Sequence, residues 1–74
     1  MKTERTVVTM RYIGAKPSPR NYKEKIHMFE GGNGIVYEWW TKKTPPVAVG
    51  ETVVMKASIE IVGGHPFITR PVFL

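Results

Sequence analysis

Lysines alternate with aromatic rings in one stretch of this chain, and that stretch holds its clearest chemistry. Lys23, Lys25, His27 and Phe29, then Val36, Glu38 and Trp40, recur at every second residue on either side of Gly31-Gly32-Asn33-Gly34. Cations set beside exposed rings suit a single-stranded nucleic acid. Ammonium and guanidinium groups neutralise phosphates, and each base stacked on a ring contributes about 1–3 kcal/mol without its sequence being read. The candidate stacking rings are Phe29 and Trp40. The candidate phosphate contacts are Lys23, Lys25, Lys42, Lys43 and Arg20, joined by Lys16 from a basic loop and Arg11 from the first strand. The bland alternative is that a loop or a partner copy covers the rings and that the lysines are ordinary solvated residues.

Other chemistry finds little to build on. His27 and His65 are far apart with no further ligands grouped around either, whereas a metal site needs three or four converging donors. Neither a metal nor a cofactor is expected, and His27 opposite Glu38 reads as a cross-strand polar pair. The carboxylates are scattered, and Ser18 and Ser58 have no recognisable base, so no enzymatic activity is expected. The glycine-rich segment 31–34 is not followed by a helix, so it is not a phosphate cradle.

The bulk properties agree with a polyanion partner. In 74 residues there are 11 Lys and Arg against 6 Asp and Glu, a formal charge of +5, and no cysteine. The charge favours encounter with nucleic acid, and without disulfides the fold must rest on packing. No apolar run approaches the roughly 20 residues of a membrane span. Residues 1–5 lead straight into a strand without a signal-like apolar region. No membrane partner is expected, and the expected location is the cytoplasm.

The elements that must position these residues are strands. Residues 4–14 alternate, with Val8, Met10 and Tyr12 on one face and Val7, Thr9, Arg11 and Ile13 on the other; both faces carry apolar groups, which leaves the core face open. Two prolines, Gly14 and Asn21 then make a basic loop over residues 14–21. Strands at 22–30 and 35–41 flank the glycine-rich turn. Pairing Glu30 with Ile35 sends Ile26, Met28, Ile35, Tyr37 and Trp39 inward and leaves Lys25, His27, Phe29 and Trp40 outside; a slip of one residue would exchange the faces. The Pro45-Pro46 connection excludes a helix through residues 42–50. Residues 51–62 form a strand with Val53, Met55, Ala57, Ile59 and Ile61 on its core face. Gly63-Gly64-His65-Pro66 turns it into a last strand, 67–74, where Pro71 demands an edge or a bulge. The result is an all-β domain spanning residues 1–74. Closing a small sheet removes its exposed edges, and five strands fit a small five-stranded Greek-key barrel of the OB-fold type.

Gly32-Asn33-Gly34, Trp39-Trp40-Thr41, Gly50-Glu51, residues 53–59 and Ile68-Thr69-Arg70 follow one another in an order that resembles an OB-fold module of phage and bacterial proteins of DNA metabolism. The resemblance covers residues 31–72. Ser58-Ile59-Glu60-Ile61-Val62 stands where such modules carry Thr-Val-Lys-x-His, and Pro66-Phe67 replaces Gln-Thr. What the resemblance implies is the OB fold more than a particular activity; with the Lys/aromatic face of the 22–41 hairpin, the expectation is a small basic OB-fold protein that binds single-stranded nucleic acid, DNA ahead of RNA. The alternative is a protein-interaction or assembly module, a homodimer or a docking partner of a phage or host protein, using the same aromatic face.

Overall fold

The computed structural model describes residues 5–74, and within them every regular element is a strand. The strands are β1 (Arg5–Pro17), β2 (Lys25–Gly31), β3 (Val36–Thr41), β4 (Thr52–Val62) and β5 (His65–Phe73). They close in the order β1-β2-β3-β5-β4, with β4 returning to β1. All neighbours are antiparallel except β3 and β5, which run parallel. The chain is a small OB-fold-like barrel. The expected start of the first strand at residue 4 lies outside the described residues.

β1 serves two neighbours in turn. Its first half pairs with β4, from Arg5↔Ser58 to Arg11↔Thr52, and its second half with β2, from Met10↔Gly31 to Pro17↔Lys25. The corner is turned at Gly14, whose φ is +136°, where the pairing steps from Tyr12↔Phe29 to Gly14↔Met28. The glycine was expected to end the strand. It bends it instead, because one unpaired residue in a ladder makes a bulge rather than a break. The loop that follows is displaced to residues 18–24, where residues 14–21 were expected, and β2 starts at Lys25 instead of Tyr22.

A second irregularity lies in β5. Pairing passes from Lys56↔Val72 to Ser58↔Thr69, which leaves an extra residue in β5 beside Pro71. Pro71 thus produces a bulge, one of its two expected outcomes. Arg70 adopts φ +49°, the one positive φ at a non-glycine among the described residues. Such a conformation costs about 1–3 kcal/mol unless the surroundings hold it. Arg5 supplies part of that hold. Its guanidinium Nη2 crosses β4 at Ser58, its ladder partner, and donates to the carbonyl oxygen of Arg70.

The barrel interior contains Met10, Tyr12, Phe29, Trp39, Val53, Met55, Ala57 and Ile68, with Val8, Tyr37, Ile59 and Phe73 packed at its margin. This decides the face of β1 in favour of Val8, Met10 and Tyr12. Val53, Met55 and Ala57 point inward as expected. Ile61 does not reach the core and is 72% exposed, because β4 and β5 run on past it as a hairpin closed by Gly63 and Gly64.

The β2–β3 register differs from expectation by one residue. Glu30 pairs with Val36 instead of Ile35, so Phe29 faces Tyr37, His27 faces Trp39 and Ile26 faces Trp40. The cause is the turn. Gly31 N–H donates to Ile35 O at 2.9 Å and Gly34 N–H to Gly31 O at 3.0 Å, while Asn33 Oδ1 accepts from Ile35 N–H. That closes a three-residue loop with Gly34 at φ +79°, a common hairpin geometry, where four residues were expected. The odd count keeps Tyr37 and Trp39 inward but turns β2 over. Phe29 and His27 become interior, and Ile26 and Met28 move to the outer face.

Candidate nucleic-acid interface

The outer face of β2, β3 and β5 is therefore not the expected one. Phe29, expected as a stacking ring, is fully buried and packs on Tyr12 at 5.1 Å between centroids. Trp40 does lie on the outside, half-buried. Across the ladder from it is Ile26, only 3% exposed although it points away from the core. Phe67 stands edge-on to Trp40 at 6.3 Å, and the indole N–H donates to Glu38 Oε1 at 3.1 Å.

The loop between β1 and β2 folds over this face because its own polar groups tie it into a knuckle. Asn21 Oδ1 accepts from Lys23 N–H, and Asn21 O accepts from Glu24 N–H. Glu24, nearly buried, then receives Ser18 Oγ at 2.9 Å and a two-point contact from Arg20, Nε at 2.7 Å and Nη2 at 2.8 Å. The Arg20 hydrogen bonds hold the Glu24 carboxyl down at about 2, against the opposing effect of its burial and helped by Ser18 and the charges of Arg20 and Lys42. The same contact pushes the Arg20 guanidinium up. So fixed, the guanidinium carbon lies 4.9 Å from the centroid of Trp40, a cation–π contact.

Arg20, Trp40, Glu60, Val62, Phe67 and Thr69 line a groove of about 380 Å³ between this loop and the β4–β5 hairpin. Its floor is aromatic. Phe67 was missed because the last strand was read from residue 67, whereas it starts at His65; alternation around the inward Ile68 places Phe67 outside.

The cations divide into two sets. Arg11 is paired with Glu30 at 2.8 Å, Lys16 with Glu38 at 3.8 Å, and Arg20 with Glu24. Exposed pairs such as Arg11–Glu30 and Lys16–Glu38 contribute about 0–1 kcal/mol, and with the Arg20–Glu24 pair, whose carboxylate is less exposed, they leave this part of the face nearly neutral. Lys23, Lys25, Lys42 and Lys43 are exposed and form no ion pair among the described residues. They gather where β2 begins and β3 ends, with Lys25 beside Thr41 in the ladder. Tyr22, expected inward, precedes the strand and is 86% exposed, and Lys23 Nζ lies 5.7 Å from its ring.

His27 links this lysine-rich end to the core. Its expected partner Glu38 is on the opposite face. Instead Nε2 lies 2.9 Å from Lys43 O, which can only accept, so Nε2 carries the proton and Nδ1 accepts from Tyr12 O–H at 2.9 Å. Burial pushes the His27 imidazole below its ordinary value, opposed by the Lys43 carbonyl and reinforced by Lys25; burial also raises the Tyr12 phenol. Comparison with protein-family models, curated proteins and solved structures gives no match to this chain. The site has to be read from its side chains. Among the described residues no three of His, Cys, Asp and Glu come together as metal ligands, and no helix is long and apolar enough to cross a membrane.

Proposed function

We propose that this protein binds single-stranded nucleic acid, DNA ahead of RNA, without catalysing a reaction on it. The observation that carries the reading is the junction of two half-exposed rings, Trp40 and Phe67, with four exposed lysines that form no ion pair among the described residues. An unpaired base entering the groove stacks against the rings, and the adjoining phosphates follow Lys42, Lys43, Lys25 and Lys23. OB folds use this region, the β2–β3 face with the β1–β2 and β4–β5 loops. Arg20 acts as a wall of the groove rather than as a free phosphate contact, since Glu24 already holds its guanidinium. The likeness of residues 31–72 to OB-fold modules of phage and bacterial DNA metabolism supports the fold on which this reading rests; the place of action we propose is the cytoplasm.

The test is tryptophan fluorescence titrated with a short oligothymidine over a range of salt. The expected result is quenching whose affinity falls as salt rises and that is weakened by Trp40→Ala. Absence of quenching, or salt-independent quenching, would count against it. One observation favours a second reading, a protein-docking surface: Ile61 and Val62 are 72% and 60% exposed on the hairpin beside the groove. Light scattering showing a tight dimer that shields Trp40, with no oligonucleotide response, would establish that reading in place of the first.

A further inference from the structure

The seam between β3 and β5 has a second opening. The two strands share one register pair, Glu38↔Phe67. Beyond it both run on in the same direction without pairing to each other, β3 through Trp39 and Trp40 and β5 through the Arg70 bulge. Trp40 lines the outer opening described above. Trp39 lines the inner one, a cleft of about 400 Å³ shared with Thr41, Lys43, Thr44, Arg70 and Phe73.

We propose that this cleft binds a nucleoside monophosphate, with its ring against Trp39 and Phe73 and its phosphate between Lys43 and Arg70. Trp39 and Phe73 belong to the barrel core or its margin, and their centroids are 5.5 Å apart at an interplanar angle of 55°. Tilted against each other rather than coplanar, they form a rigid apolar corner at the base of the cleft, with Trp39 itself 9% exposed. The two cations come from different elements, Lys43 from the connection after β3 and Arg70 from the β5 bulge. Neither forms an ion pair among the described residues. Thr41 Oγ1 accepts the backbone N–H of Lys43 at 3.1 Å, which fixes the turn and leaves the hydroxyl proton free to donate to an anion. The size suits one nucleotide, since small-molecule pockets begin at about 300 Å³.

Arg70 gives independent support. Glycine would hold φ +49° without strain. Arginine there adds strain and sets a guanidinium at the mouth of the cleft, and strained residues concentrate at ligand sites. The bulge is braced from behind by Arg5 through the Arg70 carbonyl, so the side chain is left free.

The cleft shares Lys43 with the phosphate path proposed above but has a different indole at its base, Trp39 in place of Trp40, and its test reads that indole. The ¹⁵N-labelled protein, with its two indole N–H signals assigned by Trp40→Phe, is titrated with thymidine 5′-monophosphate, thymidine and inorganic phosphate. The mononucleotide is expected to move the Trp39 signal saturably. Thymidine or phosphate alone should bind at least about ten-fold more weakly, the loss expected for a charge-assisted contact or a stacked ring. Arg70→Gly, which suits the backbone and so keeps the fold, and Lys43→Ala should each weaken binding by a similar factor. Trp40→Ala should leave it unchanged. An unmoved Trp39 signal, or Arg70→Gly binding as well as the parent, overturns the proposal. Phosphate binding as tightly as the mononucleotide overturns the ring contact. Oligothymidines with and without a 5′-phosphate identify the source. Tighter binding of the phosphorylated oligomer alone supports a strand end, and no gain over the mononucleotide supports a free nucleotide.

Discussion

β1 and the β3–β5 seam are opposite ways of joining strands in one small barrel. β1 is tied on both sides by ladders of seven register pairs each, bent by a bulge but continuous. The seam holds by one pair, Glu38↔Phe67. The fully buried Phe29 and Met55 lie on β2 and β4, the two neighbours of β1, while both clefts flank the seam. A chain this short has little apolar area to bury. It concentrates packing around β1 and leaves rings and cations accessible where pairing lapses. The difference teaches that the two clefts lie where closure of the sheet is incomplete, one of them walled in addition by Arg20 of the β1–β2 loop.

The comparison breaks if the two regions respond alike to truncation. The largest effect is expected from Phe29→Ala, which should lower unfolding free energy by about 3–5 kcal/mol in chemical denaturation, the usual cost of emptying a buried aromatic site. Trp40→Ala should instead lose about 1–3 kcal/mol of oligonucleotide binding and much less stability than Phe29→Ala. A Trp40 variant as unstable as the Phe29 variant would show that the seam is part of the core. The acid response sharpens the contrast. Glu24 is held at about 2 against an ordinary 4.5. Its contribution is therefore complete above the ordinary value and disappears as pH falls toward 2. Glu24→Gln should flatten the stability–pH curve in that window and release Arg20 from its fixed place over Trp40.

His27 acts at higher pH. Its folded-state value lies below the ordinary 6.5, so neutral imidazole favours the fold. Its contribution to stability should be complete above 6.5 and decline as pH falls from there toward the folded-state value. Thermal melts of the parent and His27→Gln, followed from neutral to mildly acid pH, should differ in slope in that window and run parallel above it. The smallest effect is expected from Arg70→Gly. Relief of the left-handed backbone is worth about 1–2 kcal/mol, partly offset by the freedom glycine gains in the unfolded chain. The net should be a stabilisation of less than about 1 kcal/mol. A destabilised variant would mean that the Arg70 side chain, and not only its carbonyl, braces the bulge.

Much of the barrel was legible because period-two alternation and Gly or Pro punctuation act locally. β4 announces its core face through Val53, Met55 and Ala57, and Pro71 announces an edge or a bulge, of which the structure shows the bulge. The faces of β2 were not legible. Four turn-forming residues in a row, Gly31 to Gly34, allow two closing pairs, and only hydrogen bonds such as Gly31 N–H to Ile35 O decide between them. Phe29 was lost from the site for that reason alone. The same limit hid the neutralised cations. Arg11 and Glu30, or Lys16 and Glu38, are distant in sequence and meet only once β1, β2 and β3 lie side by side. Trp40 and the lysines at the end of β3 kept their places because they depend on the register of β3 with the core, which the shorter turn did not alter.

The span of Arg5 also bears on how the protein is made. Its ladder partner is Ser58 and its guanidinium meets the carbonyl of Arg70, 65 residues away. β1 is synthesised before β4 and has no β4 to pair with until β2, β3 and their connections have followed it. Local contacts can form only the β1–β2–β3 meander during that interval. Closure must await β4 and β5, and such long-range pairing puts folding in the millisecond-to-second range typical of all-β domains. During synthesis the exposed edges of that meander are what a chaperone, or an untimely neighbour, would meet first.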